Sequence, residues 1–159
     1  MDSERAQASG AAPAAPPFAV RRHRPPRVLL VDDAAATRDL YCAGLRHAGF
    51  DVQVAADGLE ALARAVARRP DAVVIDVAVP GMDGWEVTRR LKAAAATRDI
   101  PVIAVTGSDP QRARARAAET GCAACLQKPC RPEDLREEVE RQLDLHRPRP
   151  RRRGRAGRL

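Results

Sequence analysis

Apolar residues along this chain fall into five short runs, separated by longer stretches with helical spacing. The runs are mostly uninterrupted, which is typical of parallel strands that are covered on both faces. They predict strands at residues 28–31, 52–55, 72–75, 102–105 and 123–126. The stretches between and after the strands are apolar at every third or fourth position, which predicts helices. The alternation predicts an α/β fold, a doubly wound five-stranded parallel sheet with five helices.

The first two helices are predicted from their apolar stripes and from the residues at their ends. The first, at residues 34–48, ends at Gly49, and its predicted inward residues are Leu40, Tyr41, Leu45 and Ala48. The second has the capping-box spacing of Asp57 and Glu60, and its predicted inward residues are Leu59, Leu62 and Val66.

The remaining helices differ in how much apolar surface they offer. The third repeats the capping-box spacing with Asp83 and Glu86, and its predicted core residues are Val87 and Leu91. The fifth begins at Pro132, and its predicted core residues are Leu135, Val139 and Leu143. The fourth, at residues 111–120, offers little but alanine, so we expect it to be marginal and mobile.

The basic character of the chain is concentrated at its two ends. The 159 residues have a formal net charge of +7, but residues 28–146 contain 16 basic and 19 acidic side chains. Residues 1–26 are rich in alanine and proline, and residues 147–159 contain seven arginines and no acidic residue. We predict a disordered leader at residues 1–26, a compact domain at 27–146 and a disordered arginine-rich tail at 147–159. A nucleic-acid-binding surface is therefore not expected on the compact domain.

The distribution of apolar residues also bears on localisation. No stretch approaches the roughly 20 apolar residues of a membrane span. The apolar run at residues 28–31 is interrupted by Asp32 and Asp33, so it is too short for an export signal. We expect a cytoplasmic protein without a membrane span.

Four cysteines raise the question of a metal or redox site; they are Cys42, Cys122, Cys125 and Cys130. Cys122 and Cys125 border the last predicted strand, where their spacing is expected to point the side chains to opposite faces. No histidine stands near them in the sequence as a further ligand. We therefore predict small, buried or partly exposed thiols and disfavour a zinc site or a redox pair.

Polar residues stand where the apolar runs end. They are Asp32 and Asp33 after the first run, Asp76 after the third, Thr106 after the fourth and Lys128 after the fifth. Because parallel strands end at one edge of a sheet, these side chains are expected to lie together. Crowded carboxylates repel one another, and a divalent cation that prefers oxygen ligands relieves the repulsion. The pattern predicts a site for Mg²⁺ and a phosphate group.

Five motifs carry a resemblance to a known family. They are Val28-Leu-Leu-Val-Asp-Asp33, Val74-Ile-Asp76, Pro80-Gly-Met-Asp-Gly84, Val105-Thr-Gly107 and Lys128-Pro129. In order and interval this set closely resembles the receiver domain of two-component response regulators, over about residues 27–144. The resemblance implies a flavodoxin-like fold and a single-domain regulator of the chemotaxis-protein type. It also implies a cis peptide bond between Lys128 and Pro129.

The resemblance implies a role for each site residue. Asp76 is the expected phosphoacceptor, which takes a phosphoryl group from the phosphohistidine of a sensor histidine kinase or phosphotransfer protein. The expected Mg²⁺ ligands are Asp32, Asp33, Asp76 and the main-chain carbonyl of Ala78. Lys128 is expected to bind the phosphoryl group and Thr106 to report its presence. The only catalysis implied is the protein's own phosphorylation and its reversal, which would switch a surface for an unknown downstream protein.

Other interpretations compete with these roles. Asp33 could cap the first helix, and Asp83 is assigned to helix capping alone. Cys125 stands three positions before Lys128, where the family usually has an aromatic residue, so output signalling is expected to be altered. The alternative function is a constitutive pseudo-receiver that acts through residues 147–159. Their arginines would bind an acidic partner or, without sequence specificity, nucleic acid.

Overall fold

The computed structural model describes residues 24–146, which form a single sheet with helices on both faces. The strands are β1 (Arg27–Val31), β2 (Asp51–Ala55), β3 (Ala72–Asp76), β4 (Val102–Thr106) and β5 (Ala124–Gln127). The helices are α1 (Ala35–His47), α2 (Gly58–Arg68), α3 (Gly84–Ala93), α4 (Pro110–Thr120) and α5 (Pro132–Leu145). Strands and helices alternate along the chain, as the apolar pattern predicts.

All the strand pairs are parallel, and the strand order is β2-β1-β3-β4-β5. The chain passes from β1 outward to β2 and then returns to the other side of β1 to form β3. This reversal leaves a crevice at the carboxyl ends of β1 and β3, where open α/β sheets bind ligands. The predicted doubly wound five-stranded fold is confirmed.

The sheet separates two apolar cores, and alternate residues of each strand point into different ones. Leu30 packs with Leu45 of α1 and Leu135 of α5 on one face. Leu29 packs with the buried residues of α2 and α3, among them Leu91, on the other face. Apolar side chains therefore cover both faces of the sheet. This explains why the strands are continuous apolar runs in the sequence.

Two helices turn different residues inward from those that the sequence predicts. In α1 the buried residues are Tyr41, Cys42 and Leu45, and Leu40 is 57% exposed. Leu40 precedes Tyr41 by one residue, and this rotates it about 100° around the helix axis. The predicted inward position of Leu40 is therefore wrong.

In α2 the predicted burial of Leu59 and Val66 is also wrong, since they are 69% and 59% exposed. The buried residues are instead small ones, namely Gly58, Ala61 and Ala65. A Cβ atom at Gly58 would lie 2.7 Å from the main-chain oxygen of Met82. The start of α2 therefore lies too close to the segment before α3 to admit a larger residue at this position.

The predicted helix caps are present. The Asp57 carboxylate accepts a hydrogen bond from the amide of Glu60 at 2.8 Å, and that of Asp83 accepts one from Glu86 at 2.9 Å. In α4, Asp109 accepts from the amide of Gln111 at 2.9 Å. The helix then ends at Gly121, whose φ of 81° suits glycine. The predicted fourth helix is therefore formed and capped, and its mobility stays a prediction.

Cys122 and Cys125 do not point to opposite faces, so that part of the sequence interpretation is wrong. Cys122 precedes β5 and packs against the core shared by α2 and α3. The Cys125 sulfur lies 3.7 Å from the main-chain oxygen of Ala113 in α4, which covers the same face. The backbone bends at Ala123, so strand alternation does not extend back to Cys122.

Two predicted segments lie largely outside the described residues. They are the leader at residues 1–26, of which only 24–26 are described, and the tail at residues 147–159. The three-part division of the chain stays a prediction. Within residues 24–146, no helix combines the length and apolar character that crossing a membrane requires.

Candidate functional site

Three aspartates meet at the carboxyl edge of the sheet, as the sequence predicts. Asp32 and Asp33 follow β1, and Asp76 is the last residue of β3. One carboxylate oxygen from each lies within 4.8 Å of the others. Asp32 and Asp76 are 3% and 6% exposed, whereas Asp33 is exposed to solvent. The cluster is thus open to solvent on the side of Asp33 and closed behind it.

Burial makes the negative charge of Asp32 costly. Desolvation raises the pKa of the Asp32 carboxyl above its usual value, and the charges of Asp76 and Asp33 raise it further. The main-chain amide of Ala34, which donates to the carboxylate at 2.9 Å, and the ammonium of Lys128 oppose the increase. A cation bound among the three carboxylates would remove this penalty.

The donors of the cluster fit a magnesium ion. All are oxygen atoms, two belong to carboxylates held in place by burial, and the third is accessible for exchange of water. The competing role of Asp33 as a helix cap is wrong, because the N-cap of α1 is Ala34 and no side chain caps that helix. Asp33 is therefore free of capping and faces the other two aspartates.

The Asp76 carboxylate is anchored through both of its oxygens. Oδ1 accepts a hydrogen bond from the main-chain amide of Ala78 at 2.9 Å. Oδ2 lies 2.7 Å from Nζ of Lys128, which follows β5. The amide of Lys128 donates to the main-chain oxygen of Thr106 at 2.9 Å, and the bond to Pro129 is cis, as expected. A buried carboxylate and an ammonium group are thus held in direct contact.

Thr106, the last residue of β4, is 1% exposed and already has a hydrogen-bond partner. Its hydroxyl oxygen lies 2.8 Å from that of Ser108 and also accepts from the Ser108 amide at 3.1 Å. The sequence did not predict this contact. At Gly107, between them, an added Cβ would meet nothing within 4 Å, so the approach to the site is open there.

Two residues of α1 border the site, and the sequence analysis did not identify either of them as a site residue. Arg38 donates to the main-chain oxygen of Asp32 at 2.9 Å. The Tyr41 hydroxyl donates to the main-chain oxygen of Cys130 at 2.8 Å, and burial is the main cause that raises its pKa to about 12. Arg38 stands six residues after Asp32. This spacing does not predict their contact unless the start of α1 at Ala35 is known.

The chain is similar in sequence to proteins of one known family. Residues 28–140 match the response regulator receiver domain. The chain is 39% identical over 111 residues to response regulator MprA of Mycobacterium sp. strain KMS, which covers 70% of this chain and 47% of MprA. The chain spans about half or less of the length of the curated relatives it matches.

Solved structures show the same architecture. The chemotaxis response regulator CheY4 of Vibrio cholerae matches with a TM-score of 0.71 and 31% identity, over 74% of this chain and 98% of CheY4. The receiver domain of sensor histidine kinase PA1611 from Pseudomonas aeruginosa matches with a TM-score of 0.70 and 31% identity, over 76% and 98%. In that structure a magnesium ion is coordinated in the active-site cleft.

The matched residues include the whole aspartate cluster together with Thr106 and Lys128. This chain belongs to the response regulator receiver domain family, whose members are the phosphoacceptor modules of two-component signalling.

Proposed function

We propose that Asp76 accepts a phosphoryl group from the phosphohistidine of a sensor histidine kinase or a phosphotransfer protein. The observation that supports this most directly is the Asp76 carboxylate, held at 2.7 Å by Lys128 inside a cluster of acidic oxygens. In the same proposal, Asp32, Asp33, Asp76 and the main-chain oxygen of Ala78 hold Mg²⁺. When bound, the ion would neutralise negative charge on the carboxylates and on the incoming phosphoryl group.

The transfer is a displacement at phosphorus. An Asp76 oxygen forms a bond to phosphorus as the bond from phosphorus to the donor's histidine nitrogen breaks. Lys128 binds a phosphoryl oxygen with the same ammonium that holds Asp76 in the unmodified protein. Thr106 leaves Ser108 and donates its hydroxyl proton to another phosphoryl oxygen, which makes it the contact that reports phosphorylation.

The chemistry proposed for the chain is limited to its own phosphorylation and the hydrolysis that reverses it. Its output is a changed surface for a downstream protein, in the cytoplasm. The alternative, a constitutive module that binds through residues 147–159, concerns residues outside the described part of the chain. A module without phosphorylation has no need of Asp32, Asp33, Asp76, Thr106 and Lys128 together, so their presence favours the phosphoacceptor.

The test is labelling with acetyl phosphate in the presence of MgCl₂, read as retardation in a phosphate-binding gel. We expect the parent protein to shift and Asp76→Asn to run unshifted, because the amide cannot form the acyl phosphate. Asp39→Asn, which changes an exposed aspartate on α1, is the matched control and should shift like the parent.

Chelation of the metal should abolish the shift of the parent. If folded Asp76→Asn shifts as much as the parent, Asp76 is not the phosphoacceptor. If the parent neither shifts nor binds Mg²⁺, the constitutive module becomes the better interpretation.

A further inference from the structure

The turn between β1 and α1 holds two of the three clustered aspartates, and no side chain caps the helix that follows it. Asp32 and Asp33 lie in this turn, and the N-cap of α1 is Ala34. The Asp33 side chain is exposed to solvent, so packing does not fix its carboxylate. The direction in which that carboxylate points therefore depends on how the main chain of the turn is held.

Arg38, at the end of the first turn of α1, contacts this segment twice. Its main-chain amide donates to the main-chain oxygen of Ala34, the N-cap residue, at 2.9 Å. Its guanidinium nitrogen Nη1 donates to the main-chain oxygen of Asp32, also at 2.9 Å. The half-buried side chain thus runs back from the helix to the residue that follows β1. One residue of α1 therefore holds both ends of the turn.

The Asp32 main-chain oxygen belongs to the peptide group that joins Asp32 to Asp33. This group is planar, so a bond that fixes its oxygen also fixes the direction in which the chain enters Asp33. The other groups of Asp32 have partners on the protein. Its amide donates to the main-chain oxygen of Ala55 at 3.1 Å, and its carboxylate accepts from the Ala34 amide at 2.9 Å. Arg38 adds the restraint on the peptide between the two aspartates.

We propose that Arg38 is a positioning residue for the magnesium site, an inference that rests on the proposed function. Its hydrogen bond to the Asp32 main-chain oxygen holds the turn so that the carboxylates of Asp32 and Asp33 lie beside that of Asp76. In this arrangement one carboxylate oxygen from each lies within 4.8 Å of the others. Ligands that are already gathered lose less conformational freedom when the ion binds, so affinity for Mg²⁺ is higher.

Arg46, on the same helix, offers a matched comparison. Its Nη2 atom donates to the main-chain oxygen of Val52 in β2 at 3.4 Å, so it also joins α1 to a strand by a main-chain contact. Arg46 lies in the last turn of α1, at the other end of the helix from the aspartates. Loss of its side chain is expected to affect stability alone.

The experiment measures the free energy of unfolding of the full chain by urea denaturation, first in a chelator and then at rising MgCl₂ concentrations. The increase above the metal-free value reports the Mg²⁺ affinity of the folded protein, whatever the metal-free stability of each variant. Arg38→Met keeps an unbranched stem and removes the donors. We expect its Mg²⁺ dissociation constant to rise about tenfold. Arg46→Met should bind Mg²⁺ like the parent.

Two further variants test whether the hydrogen bond carries the effect. Arg38→Lys keeps a charged donor on a long stem, and a single acceptor oxygen needs only one donor. It should bind Mg²⁺ more tightly than Arg38→Met. Arg38→Gln has a donor on a shorter stem that ends before the position of Nη1. It should lose affinity as Arg38→Met does, and it replaces that variant if the apolar side chain prevents folding.

Labelling with acetyl phosphate over a series of MgCl₂ concentrations gives a second readout. In Arg38→Met, the MgCl₂ concentration that supports half of the maximal labelling rate should rise by the same factor as the dissociation constant. Circular dichroism confirms that each variant is folded.

Two results would overturn the role of Arg38 alone. One is a folded Arg38→Met protein that gains as much stability from MgCl₂ as the parent does, even from a lower metal-free value, because Arg38 would then support only the fold. The other is an Arg38→Lys protein that binds Mg²⁺ no better than Arg38→Met. A parent protein that gains no stability from MgCl₂ is a different result, since it would overturn the magnesium site of the proposed function itself.

Discussion

Asp32 illustrates, at the scale of one residue, the cost of the acidic cluster in stability. Burial raises the pKa of its carboxyl above the usual value in the folded protein. The folded state therefore binds this proton more tightly than the unfolded state does. The free energy of unfolding falls as pH rises from the unfolded pKa through the folded pKa, and it stays lower at neutral pH.

Removal of the Asp32 charge is therefore expected to stabilise the protein when no metal is present. Asp32→Asn keeps an oxygen that can accept from the Ala34 amide, and it should raise the free energy of unfolding at pH 7 by about 1 kcal/mol. Urea denaturation in the presence of a chelator measures this change.

The gain should disappear when MgCl₂ is added, because the ion stabilises the parent and not the variant. Asp39→Asn, on an exposed position of α1, should match the parent in both conditions. A metal-free Asp32→Asn protein that is less stable than the parent would show that the carboxylate contributes more through hydrogen bonding than it costs through burial.

At the scale of one element, the packing of α2 depends on the absence of a side chain at Gly58. Its Cβ would approach the Met82 main-chain oxygen to 2.7 Å and a methyl carbon of Val87 to 2.9 Å. Gly58→Ala should therefore lower the free energy of unfolding by about 1–3 kcal/mol, since overpacking outweighs the modest gain in helix propensity at a first turn. Chemical denaturation measures the loss.

Gly107→Ala is the matched control for this prediction. Nothing lies within 4 Å of a Cβ at Gly107, so this variant should keep nearly the stability of the parent. Equal stability of Gly58→Ala and the parent would mean that α2 can move away from the segment before α3 without cost.

The helices also show what a sequence can predict about its own elements. The caps at Asp57 and Asp83 were predictable because capping is local, within three residues. The inward residues of α2 were not predictable from the sequence. The apolar stripe of Leu59 and Val66 does not indicate how closely the segment before α3 approaches α2. The placement of Cys122 and Cys125 on the same face of the sheet was missed for a similar reason, since it depends on a bend at Ala123 that strand alternation alone does not predict.

At the scale of the whole molecule, the strand order gathers the site from four separate parts of the sequence. Adjacent strands β1, β3, β4 and β5 deliver the aspartates, Thr106 and Lys128 to one edge. That gathering was predictable, because polar residues ended four apolar runs in a fold whose strands are parallel. The Thr106 contact with Ser108 and the position of Arg38 were not, since side-chain rotamers and helix phase decide them.

The charge distribution of the molecule leads to a prediction about the arginine-rich tail. Deletion of residues 147–159 removes seven arginines, whereas residues 28–146 hold 16 basic and 19 acidic side chains. The full chain should bind double-stranded DNA weakly. The slope of the logarithm of the binding constant against the logarithm of the salt concentration should be no steeper than about −6. The truncated chain should not bind, and its thermal midpoint should match that of the parent.

Binding titrations at several salt concentrations, followed by fluorescence anisotropy, measure the effect. DNA binding that survives the deletion would locate a nucleic-acid surface on the domain itself, contrary to its charge balance.

In the proposed switch, the hydrogen bond between Thr106 and Ser108 limits the free energy that phosphorylation can gain from Thr106. A hydroxyl that already has a partner gains only the difference between two hydrogen bonds when it turns to a phosphoryl group. A neutral bond contributes about 0.5–1.5 kcal/mol and one to a charged group about 1.5–3 kcal/mol, so the difference is about 1–2 kcal/mol. That amount shifts a two-state population by roughly five- to thirtyfold. In the proposed switch, phosphorylation would therefore change the balance between two conformations by degrees and would leave both of them populated.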